Sequence, residues 1–145
     1  MNQLQPTTFF IDRCLGTKSI VEALREINVA VEIHDDHFKQ NSLDVDWLPE
    51  IGKRGWIILT KDANIGKSQI ERMAVASANI RMFVLASQNL SGLDMADIFV
   101  RSIPEMKRFI NLNPAPFIAK VYSNATVKQW KNSINLVEEY NDYFR

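Results

Sequence analysis

Two carboxylates stand directly after apolar runs of the kind that form buried strands. Asp12 follows the run at residues 9–11, and Asp62 follows the run at residues 56–59 after two intervening residues. Open α/β folds bind their ligands at the edge where parallel strands have their carboxyl ends. Two acids delivered to that edge predict a shared acidic site, and such sites typically hold a hard cation such as Mg²⁺.

A third carboxylate, Asp44, stands at the predicted start of a helix. If that helix begins beside the first strand, three acids converge, and their mutual repulsion raises their pKa values unless a cation neutralises them. Mg²⁺ or Mn²⁺ held in this way can activate water against a phosphodiester. The simpler alternative is that Asp12 and Asp62 only cap the turns that follow their strands.

Four further residues are secondary candidates for this site. The Thr60 hydroxyl could orient a carboxylate or a metal-bound water, and Asn64 could add a neutral oxygen ligand or simply form a turn. Asp46 offers an alternative carboxylate within the Asp44 helix. Asp35 follows another predicted strand and is a peripheral candidate, because side chains alternate between the faces of a strand and its register is unknown.

Basic residues could contact substrate phosphate near the acids. The candidates are Arg13, Lys61, Arg72 and Arg81. Arg13 could instead pair with a neighbouring acid, and Lys61 could simply be a surface lysine. Residues 1–62 contain ten acidic and seven basic residues, and residues 63–145 contain seven and ten. A difference of this size is also typical of ordinary solvated surfaces.

Composition excludes several classes of protein. The 145 residues have no net charge, with 46% hydrophobic and 23% charged residues, which is typical of a globular domain. No apolar run is long enough to span a membrane, and residues 1–6 lack the features of a secretory signal. The single cysteine, Cys14, cannot form an internal disulfide, so we expect a cytoplasmic protein, with Cys14 a small buried residue. We find no phosphate-binding loop, nucleophile elbow or dinucleotide-binding glycine motif.

Strands and helices alternate along the chain, which predicts an α/β fold with a mostly parallel sheet and right-handed crossovers. Predicted strands lie at 8–11, 30–33, 56–60, 80–85 and, half-exposed, 117–122. Predicted helices lie at 18–27, 44–53, 68–77, 91–112 with a break or kink at Pro104, and 126–145. In the last helix Trp130, Ile134 and Val137 could pack on the domain or bind a partner chain.

Several segments together resemble a PIN-like domain, in particular the compact branch of VapC-type toxins. The resemblance covers residues 9 to about 127 and is densest between residues 44 and 62. It rests on Phe9-Phe10-Ile11-Asp12-Arg13, Leu15-Gly16, His34-Asp35-Asp36-His37-Phe38, Asp44-Val45-Asp46-Trp47-Leu48-Pro49-Glu50-Ile51-Gly52-Lys53-Arg54-Gly55-Trp56, Leu59-Thr60-Lys61-Asp62, Phe83-Val84-Leu85, Asn89-Leu90-Ser91-Gly92 and Pro116-Phe117-Ile118-Ala119.

The resemblance implies a three-layer α/β/α sandwich forming a single domain over residues 1–145. Its core spans about 8–125 and its terminal helix about 126–145. It further implies an endoribonuclease dependent on Mg²⁺ or Mn²⁺, the toxin of a toxin–antitoxin pair, with RNA as substrate, an antitoxin as partner and a homodimer as one oligomeric state. Asp12, Asp44 and Asp62 match the family acids by position. Many relatives carry a further acid near the last of these, where this chain has Asn64, so the number of metal ions stays open.

Two other functions remain open at this point. A catalytically inactive interaction module of the same fold would be consistent with the zero net charge and with Asn64. A receiver domain that accepts a phosphoryl group also clusters acids, but its acidic pair follows the first strand, whereas Asp35 and Asp36 follow the second predicted strand.

Overall fold

A six-stranded sheet forms the centre of the computed structural model, which describes residues 7–16 and 18–145. Residues 1–6 and Thr17 lie outside the described part of the chain. The expectation that residues 1–6 are not a secretory signal falls in that segment. The strand order is β2-β1-β3-β4-β5-β6, and every neighbouring pair is parallel except β5 and β6. The strands are β1 (Thr8–Ile11), β2 (Ala30–Ile33), β3 (Ile57–Thr60), β4 (Arg81–Leu85), β5 (Phe117–Val121) and β6 (Val127–Lys131).

Helices cover both faces of the sheet. They are α1 (Ser19–Glu26), α2 (Asp44–Arg54), α3 (Asn64–Lys67), α4 (Gln69–Ser77), α5 (Gly92–Leu112) and α6 (Ser133–Tyr143), with 3₁₀ turns at Arg13–Leu15 and His34–Asp36. Within residues 7–16 and 18–145, none of these helices combines the length and the apolar character needed to cross a membrane.

The two faces of the sheet carry separate apolar cores because side chains alternate along each strand. In β1, Phe9 and Ile11 pack with α1 and α5, whereas Phe10 faces the opposite side with α2, α4 and α6. Helices on both faces of a mostly parallel sheet confirm the predicted three-layer α/β/α sandwich.

The prediction of a helix from residue 126 is wrong over its first part. Residues Val127–Lys131 form β6, which pairs antiparallel with β5, and the helix begins only at Ser133. The Tyr122 amide donates to the Thr126 carbonyl at 2.9 Å and closes a short connection between the two strands. Because β6 covers that edge of the sheet, β5 is largely buried and not half-exposed as predicted.

The expected break at Pro104 is also absent, and α5 is continuous from Gly92 to Leu112. Proline removes one backbone hydrogen bond. Phe99, Ile103 and Met106 are buried on both sides of it. Their packing against the sheet holds the two halves of the helix together.

Candidate metal centre

Neighbouring strands deliver Asp12 and Asp62 to the same edge of the sheet. Ile11 of β1 lies opposite Leu59 of β3, and the Asp12 amide donates to the Leu59 carbonyl at 3.0 Å. Asp62 lies two residues beyond β3. The two acids and Asp44 line one groove of about 280 Å³.

The fully buried Thr60 connects the two strand-end aspartates. Its hydroxyl donates to Asp12 Oδ2 at 2.7 Å and accepts from the Asp62 amide at 3.0 Å. The predicted contact between Thr60 and a carboxylate is therefore present. The amide of Asn64 donates to Asp62 Oδ1 at 3.0 Å, so Asn64 reaches the acids through its backbone. These bonds fix both carboxylates before any ligand binds.

A fourth acid, Glu71, joins the site and was not predicted from the sequence. Single carboxylate oxygens of Asp44, Asp62 and Glu71 lie within 4.8 Å of one another, and all three residues are partly buried. Oxygen-only sites built from carboxylates suit Mg²⁺ and Mn²⁺.

The sequence around Glu71 has the pattern of a capping box, Ser68-x-x-Glu71, in which the glutamate bonds back to the serine amide. Ser68 Oγ does accept from the Glu71 amide at 3.4 Å. The Ser68 amide instead donates to the Asn64 carbonyl at 2.8 Å. That bond leaves the Glu71 carboxylate free to interact with Asp44.

A close contact between α2 and α4 sets the separation of Asp44 and Glu71, which lie near the starts of these helices. Gly52 of α2 packs on Ala78 at the end of α4, and a Cβ at Gly52 would overlap the Ala78 carbonyl oxygen. In the same two helices, Ile51 and Val75 are fully buried. The close approach of α2 and α4 therefore requires a glycine distant from the acids.

Crowding of these acids perturbs their protonation. Burial, followed by the charges of Asp12, Glu71 and Asp62, raises the pKa of Asp44 to about 7. Burial and the charge of Asp62 also raise the pKa of Glu71. A divalent cation among these groups would relieve the repulsion, so the residues present fit such an ion.

Cys14 lies beside Asp12, and the residue as a whole is exposed, contrary to the expectation of a buried residue, although its thiol group is partly buried. Its Sγ lies 3.4 Å from Asp12 Oδ2 and 3.3 Å from Thr60 Oγ1. Local burial of the thiol and the Asp12 charge raise the pKa of Cys14 to about 11. The thiol therefore stays protonated near neutral pH and is a poor nucleophile.

Asp35 belongs to a separate polar network beside the site. Its Oδ1 lies 3.0 Å from both Arg13 Nε and His34 Nδ1, and its Oδ2 accepts from Gln40 at 3.3 Å. The hydrogen bond with His34, together with the Arg13 charge, lowers the pKa of Asp35. The secondary candidates Asp35 and Asp46 are thus outside the group that converges, since Asp46 is exposed and does not line the acidic groove.

The basic residues predicted to contact phosphate do not all lie beside the acids. Arg13 lines the acidic groove, and Lys61 lines an adjoining one. Arg81 begins β4 and bonds to the Gly55 carbonyl at the opposite edge of the sheet, so its predicted phosphate contact beside the acids is wrong.

Arg72 follows Glu71 in α4 but is engaged elsewhere. Its guanidinium donates to both carboxylate oxygens of Glu139 at 2.8 and 2.9 Å and to the Gly66 carbonyl at 3.0 Å. This pairing argues against the predicted phosphate contact of Arg72. Its structural effect is to tie α6 to the helix that carries Glu71.

The chain is similar in sequence to known proteins. A family model described as "PIN like domain" matches residues 7–87. A protein of Mycobacterium tuberculosis (strain ATCC 25618 / H37Rv) named "Putative ribonuclease VapC45" is 27% identical over 123 residues, which cover 82% of this chain and 88% of that protein. No solved structure matches the chain.

Proposed function

Because the chain belongs to the PIN-like domain family, we propose that it is a metal-dependent endoribonuclease that hydrolyses RNA phosphodiester bonds. The observation that carries this proposal is the convergence of Asp44, Asp62 and Glu71 within 4.8 Å, with Asp12 beside them. The name of the mycobacterial relative supports a ribonuclease activity.

In this proposal Asp12, Asp44, Asp62 and Glu71 hold Mg²⁺ or Mn²⁺. The bound ion would supply activation of water and neutralisation of the charge that develops on the phosphate. The four acids present oxygen ligands of the kind that both ions prefer.

The chain's own residues prepare the site for this chemistry. Thr60 orients Asp12 and Asp62 through its hydroxyl. Asp44, whose pKa is about 7, carries a proton in much of the metal-free protein near neutral pH and must release it when a cation binds. Arg13 and Lys61 border the acids and are our candidates for phosphate contact.

The family further suggests the cellular setting. We propose that the protein acts in the cytoplasm as the toxin of a toxin–antitoxin pair and that a cognate antitoxin protein restrains it. Several apolar side chains of α6 are exposed, among them Ile134 and Val137. This face is compatible with contact to a second protein or a second copy of the chain.

RNA cleavage by the purified protein tests the proposal. We expect cleavage with Mg²⁺ or Mn²⁺ and none with a chelator, which would exclude the inactive interaction module. Asp62→Asn and Glu71→Gln should each lower kcat by roughly a hundredfold, the scale on which loss of a group that stabilises transition-state charge acts. Asp46→Asn is the matched control, because Asp46 is an exposed acid outside the acidic groove. Cleavage unchanged in both site variants would refute the assignment.

A further inference from the structure

We infer that a lysine-lined groove beside the acids binds the phosphate backbone of RNA on one side of the cleaved bond. This inference rests on the proposed ribonuclease function. The groove has a volume of about 580 Å³. It shares Cys14 and Asp62 with the acidic groove, so the two grooves adjoin. Its cationic side chains are Lys61, Lys67 and Lys120, called here the lysine groove.

Three separate elements bring these lysines to the carboxyl edge of the sheet. Lys61 follows β3, Lys67 ends α3, and Lys120 lies near the carboxyl end of β5. The Lys61 carbonyl accepts a hydrogen bond from the Gln88 side chain, through Nε2 at 3.3 Å, which holds this connection in place.

Lys120 is oriented by an aromatic ring. Its Nζ lies 4.2 Å from the centre of the Trp130 ring, a cation–π contact. Trp130 in turn packs against Gly66, where a Cβ would overlap the indole. The position of one ammonium group is therefore defined by the packing of β6 on α3.

The charges of the lysine groove are available for an external anion. In the part of the chain that the structure describes, no carboxylate oxygen lies within 4.0 Å of the ammonium nitrogens of Lys61, Lys67 or Lys120. On the other side of the acids, the ion pair with Asp35 offsets part of the Arg13 charge. An RNA that approaches the four carboxylates would therefore find the lysine side chains without a carboxylate partner in the lysine groove.

The remaining lining indicates which part of RNA is contacted. Asn64 and Gln88 add amide groups, and the described lining includes no aromatic face on which a base could stack. Ammonium and amide groups bind phosphate oxygens without reading sequence. The lysine groove is thus a backbone site, and we expect it to act on RNA regardless of base sequence.

Salt dependence of RNA binding tests the assignment. A short fluorescent single-stranded RNA is titrated by anisotropy in EDTA, so that binding is measured without cleavage. Each phosphate contact to single-stranded RNA contributes about 0.7 to the slope of log K against log salt concentration. The triple variant Lys61→Gln, Lys67→Gln, Lys120→Gln should therefore lower the slope by about 2. The control triple replaces exposed Lys53, Lys107 and Arg108 by glutamine, outside the lysine groove, and should leave the slope unchanged.

Hydrolysis gives an independent readout. With Mn²⁺, the double variant Lys67→Gln, Lys120→Gln should show a raised KM for RNA but an unchanged rate on bis(p-nitrophenyl) phosphate, which is too small to extend from the acids to these two lysines. Lys120→Arg, introduced alone, should keep the wild-type slope because it keeps both the charge and the contact with Trp130. If the triple variant keeps the wild-type salt dependence of RNA binding while the wild type cleaves RNA, the role of the lysine groove is refuted and the proposed function stands. A wild-type protein that neither binds nor cleaves RNA would overturn both.

Discussion

Replacing Asp44 by asparagine should stabilise the protein without metal and weaken its response to metal. The pKa of about 7, against an ordinary value of 3.8, corresponds to about 4 kcal/mol at ~1.36 kcal/mol per pH unit. Solvent screens this partly exposed carboxylate, so we expect Asp44→Asn to gain ~1–2 kcal/mol. For a chain of this size the gain corresponds to about 3–6 °C in Tm.

The sign of the effect depends on pH. The unfolded chain loses the Asp44 proton near pH 4, whereas the folded protein keeps it up to about pH 7. The free energy of unfolding therefore falls progressively as pH rises between these two values, and the full loss is present above about pH 7. The advantage of Asp44→Asn should accordingly be larger at pH 8 than at pH 5.

Thermal unfolding in EDTA and in Mn²⁺ measures both effects. Asp46→Asn is the matched control, because both aspartates lie in the first turn of α2 and lose the same favourable interaction with the helix dipole. In Mn²⁺ the wild type should gain about 2.7 kcal/mol at a hundred times Kd, and Asp44→Asn should gain less. If Asp44→Asn in EDTA at pH 8 is no more stable than Asp46→Asn, the crowding argument is refuted.

Two further variants test how the site is supported. Glu139→Gln should lower the free energy of unfolding by about 1 kcal/mol at pH 7 in urea titrations, because it breaks the partly buried pair with Arg72. The pKa of Glu139 is lowered in the folded protein, so this stabilisation is present above about pH 4.5 and is lost as pH falls through the folded pKa; the neighbouring exposed Glu138→Gln should change little. Gly52→Ala should cost about 1–3 kcal/mol and weaken Mn²⁺ binding in calorimetry, because the new methyl overlaps the Ala78 carbonyl and separates α2 from α4. Mn²⁺ binding of wild-type strength in Gly52→Ala would contradict the role given to this helix contact.

The strand-end acids could be predicted because their positions follow from parallel pairing alone. Asp12 and Asp62 follow two strands that are parallel neighbours in the sheet, and the observed register, with Ile11 opposite Leu59, brings them to the same edge. Asp44 could be predicted because the sequence indicates the start of its helix. Glu71 could not, because its position beside Asp44 depends on how α4 packs against α2 at Gly52, a contact between distant parts of the chain.

In the carboxyl-terminal region, the spacing of apolar residues predicted a helix where the structure has a strand followed by a helix. Trp130, Ile134 and Val137 have the spacing of one helix face, but Trp130 lies in β6 and packs on Gly66. In α6 the buried residue is Leu136, while Ile134 and Val137 are exposed. Local spacing favoured one long helix, and only the antiparallel pairing with β5 determines the strand.

Diffraction from crystals soaked in Mn²⁺, with the anomalous signal of manganese, tests the central claim most directly. We predict an anomalous peak among the carboxylate oxygens of Asp44, Asp62 and Glu71, with Asp12 beside it. The peak should be lost in Glu71→Gln crystals and kept in Asp46→Asn crystals. A well-ordered site with no manganese peak at saturating Mn²⁺ would contradict the account.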